Sequence, residues 1–247
     1  MMRIIERVKN IVQKMLIKIK NRISKMRNKI MYGELNSTIE DKSKYKEFLT
    51  VEECRTWGEY YSNWAKRYKE VMSLTEKIKT QHSLETSTVE CYCGYSYREI
   101  NKLLRSESIS DNKLYDKMAD ILIMALCSAP RIPEDIVVYR VIGKDFIEDM
   151  IRHNKLNRPT PIQEKGFMST SLLKNIVNIY SEAVEEPNLL KIYVPKNTIG
   201  IYVNSITKRD EEEILIAPNN YLWLLEYPYY DEGSSIKIFE CQLVTFV

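Results

Sequence analysis

Lys208-Arg209-Asp210-Glu211-Glu212-Glu213-Ile214-Leu215-Ile216-Ala217-Pro218 runs three glutamates straight into an aliphatic stretch. The aliphatic residues predict a strand of about 4–6 residues, closed by Pro218-Asn219-Asn220. Side chains alternate along a strand, so Glu211 and Glu213 share one face and Glu212 takes the other. Two carboxylates then stand where a loop enters a buried strand. Such a pair divides labour when its environments differ: one steadies a cation and the other handles a proton. Taken alone, the run reads first as a solvated acidic turn ahead of a core strand, since charge runs are usually solvent faces.

Two upstream stretches bear on that choice. Val137-Val138-Tyr139-Arg140-Val141 is a β-branched strand with an arginine inside it, and a charge in such a strand needs a partner. Glu164-Lys165-Gly166-Phe167-Met168-Ser169-Thr170-Ser171 is a glycine followed by a strand rich in hydroxyls. In the order arginine, Ser-Thr-Ser, Glu-x-Glu, these stretches resemble the mono-ADP-ribosyltransferases of the arginine-serine-glutamate class. Within that class the chain is most similar to bacterial exoenzyme toxins of the kind that form the enzymatic component of clostridial-type binary toxins.

The preceding third of the chain reads as helices. Thr50 with Glu53 makes a capping box, and a helix follows through Trp57, Tyr60, Tyr61, Trp64 and Tyr68. It is similar to the acidic-Trp-Gly…Trp helix that opens the catalytic domain of binary-toxin enzymes. A loop is expected over residues 80–90. Ser96 with Glu99 predicts a second capping box, opening a helix on which Tyr97, Asn101 and Arg105 recur every four residues on one face. That face is polar, and it reads as a solvent face or as a row contacting a polar ligand. The segment resembles a Tyr-x-x-x-Tyr-x-x-Ile-Asn-x-x-Leu-Arg pattern, which implies that Tyr97, Asn101 and Arg105 lie along an NAD cleft. A core helix capped by Asp111 is expected through Leu126.

From there strands dominate: Ile136–Ile142, Gly166–Ser171, Leu189–Val194, Ile199–Val203, Glu213–Ala217, Tyr221–Tyr227 and Ile236–Val247, with one helix over Lys144–Asn154. Helices first and strands later predict an α+β fold. The resemblance implies N-terminal helices packed on two facing, mostly antiparallel β-sheets, with NAD between them. No glycine-rich dinucleotide or Walker motif is present, so any nucleotide site is of another kind.

The chemistry follows from residue types. Releasing nicotinamide from NAD makes the ribose oxocarbenium-like, which calls for a fixed negative charge and an oriented hydroxyl. The resemblance gives that role to Glu213, the orientation of Glu213 to Ser169, and the pyrophosphate to the forked donors of Arg140. It also implicates Gly166, and Tyr180 as an aromatic near nicotinamide. Thr170 and Ser171 are expected to support the strand. Relatives that modify asparagine carry Gln two residues before the catalytic glutamate, so Glu211 implies an arginine acceptor in a target protein, with actin favoured. Water as the acceptor, giving an NAD glycohydrolase, and a binding protein with a vestigial transferase fold are the alternatives.

Charge separates one segment from the rest. Ten of the 37 Lys/Arg but one of the 34 acids lie in residues 1–30, a balance of +9; the remaining 27 bases against 33 acids give −6. Ile4, Ile5, Val8, Ile11, Val12, Met15, Leu16, Ile19, Ile23, Met26 and Ile30 form a helical stripe through this basic segment. It is too charged to span a bilayer, and it lacks the unbroken apolar core of a signal peptide. Three roles stand open: lying on an anionic membrane surface, docking on a translocation or other partner, or packing on the domain. Nucleic acid is not expected as a partner, since the rest of the chain offers no second basic face. The expected organisation is a basic amphipathic helix at 1–31, a linker at 32–45 and a catalytic domain at 46–247. Five cysteines without a Cys-x-x-Cys pair and two histidines predict thiols rather than a metal site, and the resemblance implies secretion and action in a target-cell cytosol.

Overall fold

The computed structural model describes residues 19–20, 22–35, 39–75, 78–79, 85–106, 113–176, 187–207, 211–230 and 236–245. The basic helix, α1 (22–32), stops where Gly33 turns to φ +83° and its N–H donates to Lys29 C=O at 2.9 Å. Glycine adopts that left-handed end at no steric cost. Tyr32 is buried against Tyr227 and Phe239, and its carbonyl accepts from the Asn154 amide.

α2 (Val51–Gly58) opens with the expected capping box: Thr50 Oγ1 accepts from Glu53 N–H at 3.2 Å, and the Glu53 carboxylate accepts from Thr50 N–H at 3.3 Å. α3 (Ser62–Thr75) follows, then a short hairpin of β1 (Ile78–Lys79) and β2 (Glu85–Thr86). The second capping box is not at Ser96. It lies nine residues earlier, where Ser87 and Glu90 exchange both bonds and start α4 (Thr88–Cys91), so the expected loop gives way to helix at its end. A π turn over Tyr92–Ser96 then carries the chain into α5 (Tyr97–Arg105) without a break. The reason is backbone conformation. A capping side chain needs an extended residue, and Ser87 (ψ 159°) is extended whereas Ser96 (ψ −11°) is already helical.

After α6 (Lys113–Ser128) come β3 (Ile136–Ile142), α7 (Lys144–Asn154), β4 (Ile162–Glu164), β5 (Met168–Ser171), β6 (Asn188–Val194), β7 (Gly200–Tyr202), β8 (Glu213–Ile216), β9 (Asn220–Leu224), β10 (Tyr229–Tyr230) and β11 (Lys237–Val244). The strands pair in the order β4-β9-β11-β6-β3-β5-β8-β7, with β10 on β11; among these strand pairs β11–β6 is parallel and the others are antiparallel. The α+β class is as expected, but the two expected sheets are joined. β3 and β5 meet at one register pair, Tyr139↔Ser171, which links a large half to the three-stranded half β5-β8-β7 in one network.

Both faces of β8 are covered, which is why Ile214-Leu215-Ile216 reads as a continuous apolar run rather than an alternating one. Ile136, Val138, Met168, Ile192, Ile214 and Ile216 share a cluster with Trp57 of α2 and Met150 of α7. Phe167, Ile201 and Leu215 face the other way, into Ile100 of α5 and Leu122 of α6. Each fully buried aliphatic side chain is worth about 1.5–3 kcal/mol of apolar transfer. β8 is therefore gripped on both sides, and its first residue, Glu213, is held at a fixed place.

Candidate active site

β5 lies antiparallel to β8, with Ser169 opposite Leu215 and Ser171 opposite Glu213. Ser169 is thus the diagonal neighbour of Glu213, within side-chain reach. Its hydroxyl donates to the Glu213 carboxylate. Glu213 is 3% exposed, and its N–H donates to Asn204 Oδ1 at 3.4 Å. Thr170 and Ser171 brace the backbone: their hydroxyls donate to Ile214 C=O at 2.8 Å and Glu211 C=O at 2.7 Å.

The acidic triplet divides as the sequence suggests, for a different reason. β8 starts only at Glu213, and Glu212 has φ +46°. A non-glycine residue in this left-handed region costs of order 1–3 kcal/mol and persists where surroundings hold it. Here Glu212 is fully buried, accepting from Tyr202 OH and from Arg55 Nε at 3.4 Å, while its carbonyl takes Leu172 N–H at 3.0 Å. The kink turns Glu212 inward and leaves Glu211 and Glu213 on one cleft. Burial, and then the bond to Glu212, push the Tyr202 phenol above its ordinary range.

The cleft encloses about 360 Å³ and is lined by Tyr92, Tyr97, Arg140, Ser169, Glu211 and Glu213 among others. Its volume falls in the range of small-molecule sites. Arg140 is 18% exposed and lies 3.6 Å from the carboxylate of Glu164, itself 3% exposed. Arg105 donates to the same carboxylate through a fork, Nε at 2.8 Å and Nη2 at 3.0 Å. Gly166 N–H adds a fourth contact at 2.9 Å. One buried carboxylate thus fixes two guanidiniums side by side with a surplus positive charge. Arg105 opens on an adjoining recess that it shares with Tyr97, Arg98, Lys102 and Arg140.

Glu164 was not legible as a site residue. A strand arginine demands a counterion, but β4, which supplies it, is three residues long, too short to show a strand period in the sequence. Burial would raise its carboxyl pKa; the Arg105 hydrogen bonds and then the Arg140 charge outweigh this and hold it below the ordinary 4.5. A depressed pKa contributes stability that is present above the unfolded value and is lost as pH falls through the folded one. Glu164→Gln should therefore lower the melting temperature by about 5 °C at pH 7, with the gap to wild type closing as pH falls below about 4. Thermal scans of both proteins across pH 3–8 check this; coincident curves at pH 7 would remove the clamp.

Asn101, expected along a ligand face, lines the cleft but spends its amide on the chain. Oδ1 accepts from Phe167 N–H at 2.9 Å, and Nδ2 donates to Tyr92 OH at 2.9 Å and Phe167 C=O at 3.3 Å. It pins the turn that launches the Ser-Thr-Ser strand, which is why β5 begins at Met168 and not at Gly166. Gly166 belongs to this packing: a Cβ there would stand 2.8 Å from Asn101 Oδ1 and 3.2 Å from Glu164 Oε1. Tyr97, 39% exposed, sits on the wall of both the cleft and the recess and accepts from Arg98 Nε at 2.9 Å. Tyr92, missed in the sequence, lies 1% exposed under the cleft against the Phe167 ring. Tyr180 lies outside the described residues. The structure therefore gathers Tyr97, Asn101, Arg140, Ser169, Glu211 and Glu213 around one cleft, with Arg105 and Gly166 beside it.

The chain belongs to the ADP-ribosyltransferase exoenzyme family, whose sequence pattern matches residues 54–221. No curated protein matches it in sequence. Among solved structures it is similar to the ADP-ribosylating toxin BECa of a Clostridium perfringens binary enterotoxin, solved with NADH (23% identity, TM-score 0.60, 81% of this chain and 50% of that one). It is also similar to C3stau2 of Staphylococcus aureus, solved with NAD (17%, TM-score 0.58, 82% and 100%). A third is the ADP-ribosyltransferase Vis in complex with agmatine (19%, TM-score 0.52, 81% and 88%). At these identities the likeness is one of fold. The chain spans half the length of the C. perfringens toxin.

Proposed function

We propose that the protein transfers ADP-ribose from NAD to an arginine side chain of another protein and releases nicotinamide. The observation that carries this reading is the division of the acidic triplet: Glu211 and Glu213 open on the cleft that holds Arg140 and Ser169, while Glu212 is buried away from it. The arginine pair fixed by Glu164 suits a pyrophosphate, since guanidinium forks match phosphate oxygens. Glu213, oriented by Ser169, stabilises the positive ribose as the bond from its anomeric carbon to nicotinamide breaks and the electron pair leaves with nicotinamide. Glu211 pairs with the incoming guanidinium and accepts its proton as the nitrogen bonds to that carbon. NAD and NADH in the S. aureus and C. perfringens relatives support the donor. Agmatine, a guanidinium ligand, on Vis supports the acceptor. Actin is the first target protein to test, as the binary-toxin resemblance implies, with the reaction running in the cytosol of a target cell after secretion.

Incubating the protein with NAD and agmatine tests the reading. Mass spectrometry should show nicotinamide and ADP-ribosyl-agmatine. Free ADP-ribose alone would make it a glycohydrolase, and no nicotinamide release would favour a binding protein on a vestigial transferase fold.

A further inference from the structure

Ile19, Ile23, Met26 and Ile30 stand on the basic helix at spacings of four, three and four, and are 54, 61, 62 and 75% exposed. At about 100° per residue the four fall within about 60° of one another. Arg22 and Lys29 border this stripe on one side, Lys20 and Arg27 on the other, all exposed. Lys29 also meets Glu34. Tyr32, on the opposite side of the helix, is buried in the domain core, so the anchored end of α1 turns the stripe outward. The same period runs back through the sequence at Leu16, Met15, Val12, Val8 and Ile5, interleaved with Lys18, Lys14, Lys9 and Arg7.

We infer that this face of α1 lies flat on an anionic lipid surface. An apolar stripe flanked on both edges by long cationic side chains matches the acyl boundary below and the phosphate plane beside it, since lysine and arginine lay their stems along apolar surface and keep the charge in the headgroups. Charge complementarity favours lipid as the occupant. Residues 1–30 carry +9 and the remainder −6, so an anionic surface attracts the helix and repels the domain, leaving the helix as the contact. The inference does not depend on the reaction proposed above.

Vesicle co-sedimentation of the full chain tests it, with phosphatidylcholine alone and with about 25 mol% phosphatidylserine at about 0.1 M salt. Wild type should bind the anionic vesicles at least about tenfold more than the neutral ones, and less as salt rises. Ile23→Asn/Met26→Asn should lose at least about tenfold of this binding, and Arg22→Gln/Arg27→Gln several-fold, both unfolding thermally like wild type because these positions are exposed. Equal binding to both vesicle types, binding to neither, or variants that sediment like wild type would overturn the inference. So would pelleting without vesicles that the Ile23→Asn/Met26→Asn change abolishes, which would assign the stripe to a second copy of the chain.

Discussion

Glu213→Gln should lower nicotinamide release from NAD, and transfer with it, by about 10²–10³-fold. The substitution keeps shape and keeps an acceptor for the Ser169 hydroxyl, so the geometry of β5 and β8 survives. What it removes is the negative charge, and that charge acts where the ribose becomes positive. In a site 3% exposed, water cannot replace it. Folding should be untouched or improved, because a buried carboxylate is costlier than a buried amide. Nicotinamide release and thermal unfolding measured together separate the two. A variant that folds and releases nicotinamide at the wild-type rate would take Glu213 out of the chemistry.

Glu211→Gln should split the reaction in two. Transfer to a guanidinium acceptor should fall by about 10²–10⁴-fold, the contribution of a positioned base, while nicotinamide release to water persists. The backbone of Glu211 is set by Ser171 and by the kink at Glu212, neither of which depends on the Glu211 carboxylate. A structural role would lower both reactions in parallel; an acceptor role lowers one. Initial rates of nicotinamide and of ADP-ribosyl-agmatine, read from the same incubation, decide between them.

Much of this arrangement is legible in the chain, and what is not has physical causes. The arginine strand Ile136–Ile142 and the helix Lys144–Asn154 agree with the sequence to the residue, since each is bounded by a clear change of period. From Gly166 on, the ends at Ser171, Val194 and Glu213 agree too, while the other strand ends differ by one to three residues, because turns such as the one pinned by Asn101 depend on side chains distant in sequence. Ser-x-x-Glu occurs at both Ser87 and Ser96, and pattern alone does not reveal which serine is extended. Alternation put Glu211 and Glu213 together, yet the left-handed Glu212 is what turns its own side chain inward. Glu164 and Tyr92 act through tertiary contacts across 59 and 75 residues, beyond any local motif.

The most direct measurement is transfer of label from adenylate-labelled NAD into purified actin and into a eukaryotic lysate, with tandem mass spectrometry of the labelled protein. An ADP-ribose adduct on an arginine is expected, absent with Glu213→Gln and with Glu211→Gln. An adduct on another residue type, or one that survives Glu211→Gln, would contradict it.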